Sequence, residues 1–254
     1  MKRIHVPAGG LRYWLALCVA SSLGCNTGDF FASFFGFLNG LPILLALFGL
    51  CLFAERRDEQ PRQAYYWLTI IVVRTAATNL ADFTDQRLGT AAYWVLTLLV
   101  VAALVARLLM SRASPDRHPA EGPLSRVDGL YWATMLVAGT LGTALGDFSS
   151  FRSGLGLAGA SMALSALVAV LIGLGSARLF ASPRSQLFAF PLYYWAVVVA
   201  IRTAGTSVGD YFARVLGLPP STLVFAALLT IVLALWHERS RVARLSAQPG
   251  VGVS

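Results

Sequence analysis

One motif occurs four times along this chain, and each copy places an aspartate near the end of an apolar stretch. The copies are YWLALCVASSLGCNTGDF (13–30), YWLTIIVVRTAATNLADF (66–83), YWATMLVAGTLGTALGDF (131–148) and YWAVVVAIRTAGTSVGDY (194–211). In every copy a tryptophan precedes the aspartate by 15 residues, and a glycine follows the aspartate by seven. Self-similarity at fixed offsets is the signature of a repeat architecture. The fold is therefore expected to consist of four equivalent units.

Each unit contains two apolar runs, one carrying the motif and one following the glycine. The second runs cover 38–54, 90–110, 155–177 and 219–236. A membrane-spanning helix needs about 20 mostly apolar residues, and this chain is 57% hydrophobic and only 13% charged. The sequence predicts an all-α membrane bundle of eight transmembrane helices, arranged as four two-helix hairpins with pseudo-symmetry along the membrane normal.

The chain is predicted to form a single integral membrane domain over 1–254. Its repeats cover about 11–55, 64–110, 127–178 and 190–237, a polar linker separates the halves at 111–126, and a tail covers 238–254. Fifteen of the 20 lysines and arginines lie at the termini and between repeats, and three lie in the turns within hairpins. The positive-inside rule then places both termini in the cytoplasm of a bacterial inner-membrane protein. The same topology accounts for the net charge of +8, so no nucleic-acid partner is predicted.

The motif aspartates share a helix face with hydroxyl side chains and with the tryptophans. At 100° per residue, positions 15, seven and four before the aspartate fall within about 80° of one another and of it. Glycine or alanine five and one before the aspartate forms a small-xxx-small pair that lets another helix approach closely. The glycine seven residues after the aspartate suits a helix C-terminus. The candidate ion- or substrate-binding residues are Asp29, Asp82, Asp147, Asp210, Thr78, Thr143, Thr206, Cys25, Ser22, Thr75, Thr140, Thr203, Arg74 and Arg202.

Four intramembrane carboxylates predict a cation or proton pathway. Polar residues inside a membrane face the bundle interior or a cavity and mark ion routes. Oxygen ligands suit Mg²⁺, Mn²⁺ or Ca²⁺, and Cys25 leaves Co²⁺ or Zn²⁺ open. The four aspartates balanced against Arg74 and Arg202 leave a charge of −2, which matches one divalent cation or two protons. Metal ligation is therefore assigned to the four aspartates. The tryptophans are predicted to be interfacial anchors: Trp14, Trp67, Trp132 and Trp195.

The alternative is a non-transporting structural, assembly or sensor protein. The aspartates would then be polar contacts between helices, or would pair with the arginines four or five residues later, Arg87, Arg152 and Arg214. The sequence contains no HExxH, Walker or nucleophile-elbow motif with plausible partners, so no enzyme is predicted. The predicted partners are the lipid bilayer and a small cation or proton, and a homo-oligomer is compatible with the sequence.

The four YW…GD hairpins resemble a bacterial membrane-protein family described as a tandem repeat of unknown function. The resemblance covers about 11–237 and is carried by the quoted motifs. It implies two transmembrane segments and a tryptophan in each repeat, and it implies no particular activity. Three positions depart from the commonest motif: Cys25, Ala77 and Ala81.

Overall fold

The protein is helical throughout the part of the chain that the computed structural model describes. That part comprises residues 10–58, 63–89, 127, 129–176 and 191–246, together with positions 94, 95, 98, 101, 102 and 105. The helices are α1 (Leu11–Arg57), α2 (Gln63–Phe83), α3 (Gly129–Asp147), α4 (Gly156–Ser176), α5 (Pro191–Leu216) and α6 (Leu218–Ser246). Single π-helical turns follow α2 and α3, at Thr84–Leu88 and Phe148–Arg152. The all-α prediction is confirmed.

The glycine seven residues after each motif aspartate interrupts the helix in every repeat. Gly36, Gly89, Gly154 and Gly217 have positive φ angles between 70° and 87°. Gly36 lies within the range of α1 and divides that range into two helical halves. A side chain with a Cβ is strained at positive φ, so these positions require glycine. The motif spacing therefore predicts the helix-terminating position correctly in all four repeats.

The helices that carry the motif form a closed ring. The ring consists of the first half of α1 followed by α2, α3 and α5. Its contacts join α1 to α2, α2 to α3, α3 to α5, and α5 back to α1. Consecutive repeats are therefore neighbours in space, and the fourth repeat closes against the first.

Small residues of the motif allow close approach within this ring. In each repeat a small residue lies five positions before the motif aspartate. It faces the next repeat, at the residue that lies eight positions before the aspartate of that repeat. A Cβ atom on Gly142 would lie 2.8 Å from the backbone carbonyl carbon of Arg202. Gly205 faces Ser21 in the same way where repeat 4 meets repeat 1. Helices pack this closely only where no side chain intervenes, which confirms the packing role predicted for the small pair.

In repeats 3 and 4 the second helix lies outside the ring and packs on the first helix of the next repeat. Ser161 of α4 donates a hydrogen bond to the carbonyl oxygen of Ser207 on α5, at 2.8 Å. Asn26 of α1 donates its amide N–H to the hydroxyl of Ser221 on α6, at 2.9 Å. The polar residue three before the aspartate therefore contacts an outer helix in these two repeats.

Three of the described helices are long and apolar enough to cross a membrane. They cover Asn39–Arg57, Gly156–Ser176 and Leu218–Leu235, and only 11%, 22% and 17% of their residues are buried. The apolar surface thus faces outward while polar side chains fill the ring, as expected for a membrane protein. Eight spans stay a prediction. Most of the predicted span 90–110 and the linker 111–126 lie outside the described residues, and α6 continues into the predicted tail through Ser246.

Candidate functional site

A row of residues spaced four apart along each motif helix lines the interior of the ring. Counting back from the aspartate of repeat 1, this interior row is Cys25, Ser21, Leu17 and Tyr13, all of them buried. The equivalent buried residues are Thr78, Arg74, Ile70 and Tyr66 in repeat 2, Thr143, Gly139, Met135 and Tyr131 in repeat 3, and Thr206, Arg202, Val198 and Tyr194 in repeat 4. Rows with this spacing are inclined by about 26° to the helix axis. The four helices are therefore inclined to the axis of the ring.

A ring of four tyrosine hydroxyls closes the interior at the end opposite the aspartates. The hydroxyl oxygens are separated by 2.9 Å between Tyr13 and Tyr66, 2.7 Å between Tyr66 and Tyr131, 3.3 Å between Tyr131 and Tyr194, and 2.8 Å between Tyr194 and Tyr13. A hydroxyl both donates and accepts, so each tyrosine can donate to one neighbour and accept from the other. We call these four residues the tyrosine ring. The signal for this ring in the sequence is the tyrosine that precedes the tryptophan in every copy of the motif.

The motif tryptophans pack around the outside of the tyrosine ring. Each tryptophan contacts the tyrosine of the preceding repeat, and the ring centroids lie 5.8 Å apart for Trp67 and Tyr13 and 5.5 Å apart for Trp14 and Tyr194. The four tryptophans are 2–4% exposed. The role of interfacial anchors stays a prediction for Trp14, Trp67, Trp132 and Trp195. The rings fill the gaps between neighbouring helices, where aromatic pairs stabilise the packing.

The guanidinium group of Arg74 lies in the layer of residues four before the aspartates and is fully buried. Its Nη1 donates to the hydroxyls of Thr78 and Thr143, at 3.0 and 2.7 Å. Its Nη2 donates to the hydroxyl of Thr206 at 2.6 Å. The charged group therefore joins three repeats through neutral oxygens. Among the described residues no carboxylate lies within ion-pair distance of Arg74.

Arg202 occupies the same motif position as Arg74 but extends toward the tyrosine ring. It is fully buried, and its Nη2 contacts the Sδ of Met135 at 3.8 Å. Met135 belongs to the apolar layer next to the tyrosine ring, whose other members are Leu17, Ile70 and Val198. The two arginines thus diverge along the axis, one toward the aspartates and one away from them.

The hydroxyl residues seven before the aspartates do not face the interior in the repeats where their bonds are described. Thr75 donates to the carbonyl oxygen of Gly24 at 3.3 Å. Thr140 and Thr203 donate to carbonyl oxygens of their own helices, at 3.1 and 2.9 Å. Ser22 is equally buried. Of the predicted hydroxyl layers, the one formed by Thr78, Thr143 and Thr206 is the layer that meets the Arg74 guanidinium.

The aspartates lie at the open end of the ring and are partly exposed. Where repeat 1 meets repeat 4, the Sγ of Cys25 donates to Oδ1 of Asp210 at 3.8 Å. One ligand atom from each of Cys25, Asp29 and Asp210 lies within 4.8 Å of the others. This cluster is the one group of three metal-ligating side chains found so close together in the described part of the chain.

Asp82 and Asp147 complete the set of acidic residues at this end without joining that cluster. They are close enough to Asp29 and Asp210 to interact with them electrostatically. Arg152, which the sequence could pair with Asp147, instead contacts Asp85 at 3.5 Å across the surface between repeats 2 and 3. Among the described residues, Arg152 therefore forms no direct ion pair with Asp147.

Two segments of the chain, 130–178 and 193–241, match one protein-family model. That family is described as a Repeat of Unknown Function. The matched segments correspond closely to repeats 3 and 4, and the assignment of repeats 1 and 2 rests on their shared motif and their equivalent places in the ring. No curated protein matches the chain, and no solved structure matches it.

Proposed function

We propose that the chain is a bacterial inner-membrane protein with eight transmembrane helices, both termini in the cytoplasm and the aspartates toward the outer face. The apolar outer helices and the distribution of lysine and arginine support this topology. Reporter fusions at residue 116 and after residue 254 are expected to report the cytoplasm. A signal from the opposite side at either position contradicts the proposed orientation or number of spans.

The proposed activity is translocation of a small cation, either a divalent metal or a proton. The observation that carries the proposal is the close cluster of Cys25, Asp29 and Asp210, with two further aspartates at the same end of the ring. Carboxylates bind hard cations, and a thiolate extends the range to Mn²⁺, Co²⁺ or Zn²⁺. Aspartates in a membrane bundle also act as proton relays.

The buried arginines limit how such a cation would move. Arg74 lies directly below the acidic end, and its fixed charge repels a cation that enters from there. Translocation therefore requires Arg74 to leave its three threonine partners. The described arrangement corresponds to a closed state, with the tyrosine ring as a second barrier.

Flux into reconstituted vesicles tests the activity. The panel comprises Mn²⁺, Mg²⁺, Ca²⁺, Co²⁺, Zn²⁺ and H⁺, measured for the wild type, Asp147→Asn and Asp210→Asn. Asp85→Asn is the matched control, because Asp85 lies at the same end in a partly exposed ion pair outside the ring. We expect flux of at least one ion by the wild type and the control, and its loss in both ring variants.

The non-transporting alternative makes the opposite prediction. The threonine bonds of Arg74 and the close packing of the small residues are also what a structural bundle requires. If the folded wild type moves none of these ions, or the folded asparagine variants move them equally well, the structural role is supported and translocation is refuted.

A further inference from the structure

Arg202 presents positive charge in an apolar part of the ring where the described residues provide no oxygen acceptor for its side chain. The residue is fully buried, and its Nε and Nη1 have no hydrogen-bond partner among the described residues. The remaining nitrogen contacts only the sulfur of Met135, at 3.8 Å. Thioether sulfur is a weak acceptor, so this contact does not compensate for the desolvation of the guanidinium.

A charge in this position requires a counter-charge. Arginine stays protonated in proteins, so it cannot relieve its burial by losing a proton. The motif aspartate of the same helix lies eight residues away from Arg202, which corresponds to about 12 Å along the helix axis. Arg74 extends into the space between the motif aspartates and Arg202 and bonds to the threonine layer. The carboxylates therefore act first on Arg74, and Arg202 remains uncompensated.

Two further buried polar groups also have no partner among the described residues. They are Nε of Arg74 and the hydroxyl of Ser21, both fully buried. Ser21, Arg74 and Arg202 occupy the equivalent position in repeats 1, 2 and 4, eight residues before the aspartate. Arg202 alone extends toward the tyrosine ring, and its guanidinium, with two nitrogens that have no partner among the described residues, offers a charged planar donor set suited to an anion.

We propose that the buried guanidinium of Arg202 binds one small monovalent anion inside the ring. The class includes halides and compact oxyanions such as nitrate and bicarbonate. The tyrosine ring on one side and the threonine layer on the other limit the length of the site. This anion site is distinct from the proposed cation site at the aspartates, because the Arg74 guanidinium lies between the two.

Anion titrations of the purified full-length protein in detergent test the proposal. Chloride, bromide and nitrate each replace gluconate at constant ionic strength, and the melting temperature is recorded. We expect a saturable rise for the wild type with these anions and none with sulfate. Arg214→Gln is the matched control, because Arg214 is an exposed arginine on the same helix, and it is expected to retain the rise.

Arg202→Met replaces the charge with an apolar side chain of similar length. It is expected to fold, because methionine suits the apolar layer, and to bind the anion at least about tenfold more weakly, as loss of a charged hydrogen-bond donor predicts. If this variant does not fold, Arg202→Lys decides, since lysine keeps the charge but loses the planar donor array. The proposal is overturned if the melting temperature of the wild type shows no saturable rise. It is also overturned if the folded variant that decides the test binds the anion with unchanged affinity. Asp210→Asn should keep the anion response, which separates this test from that of cation flux.

Discussion

One added methyl group at Gly142 tests whether the ring is held together by direct backbone contact between neighbouring repeats. In Gly142→Ala the new Cβ would lie 2.8 Å from the carbonyl carbon of Arg202 and 3.0 Å from the backbone nitrogen of Thr203. Non-bonded carbons pack about 3.5–4.0 Å apart, so the overlap is close to 1 Å. The nearest atom of all is Cβ of Arg202, and because neither Cβ nor the backbone moves when a side chain rotates, no rotamer change can remove the clash. The helices α3 and α5 must separate.

The magnitude follows from two opposing effects. Overpacking in a well-packed interior costs about 1–3 kcal/mol, whereas alanine is favoured over glycine within a helix by up to about 1 kcal/mol. The expected net loss of unfolding free energy for Gly142→Ala is therefore about 1–2 kcal/mol. Gly173→Ala is the matched control, because Gly173 is an exposed helical glycine of α4 with nothing within 4 Å of an added Cβ. Its stability should stay unchanged or rise slightly.

Unfolding in detergent, followed by tryptophan fluorescence, is a suitable assay because the motif tryptophans are buried around the tyrosine ring. Equal stability of the two alanine variants would refute the reasoning. It would mean that the α3–α5 interface accommodates a Cβ at Gly142 and that the small-residue motif does not set the helix spacing.

Three further predictions test other parts of the ring. Gly36→Ala is expected to lose about 1–3 kcal/mol of stability, because φ 70° and ψ 165° form a backbone region essentially restricted to glycine. Gly49→Ala, with open space around its Cβ position, should lose no stability. Equal losses in the two variants contradict the argument. Tyr13→Phe removes one hydroxyl from the tyrosine ring and should cost about 1–2 kcal/mol. Adding Tyr194→Phe should cost less than the sum of the two single variants, whereas strict additivity in a double-mutant cycle would contradict a connected ring. Thr143→Val removes an acceptor from a buried guanidinium and should cost about 1.5–3 kcal/mol in chemical unfolding; a neutral result contradicts the assigned hydrogen bond.

The parts of the fold that depend on local geometry could be predicted from the sequence. The positive φ at Gly36 follows from a glycine that ends the first helix, and the close contact at Gly142 follows from the small-xxx-small spacing. Both features depend on short offsets within one helix.

The orientation of individual side chains depends on how the helices are inclined, which offsets alone do not determine. A straight helical wheel places Trp14 near Asp29 and Tyr13 about 160° away from it. In the structure the interior follows every fourth residue, so that Tyr13 reaches the axis and Trp14 packs outside the tyrosine ring. The same inclination selects Thr78 over Thr75 as the hydroxyl that meets Arg74. The error in a side-chain orientation predicted from a straight helical wheel therefore grows with distance from the aspartate.

The alternation between repeats explains why arginine is present in only two of four equivalent positions. Repeats 2 and 4 place Arg74 and Arg202 on opposite sides of the ring, and repeats 1 and 3 have the small residues Ser21 and Gly139 there. Four large cations in one layer would leave no room for the backbone contacts and no set of neutral acceptors for each guanidinium. Two arginines fit because one extends to the threonines and the other toward Met135. The twofold arrangement within a fourfold ring thus places positive charge along the axis between the acidic end and the tyrosine ring. On this basis, a cation bound at the aspartates and an anion bound near Arg202 would be separated by Arg74, whose movement would affect both sites.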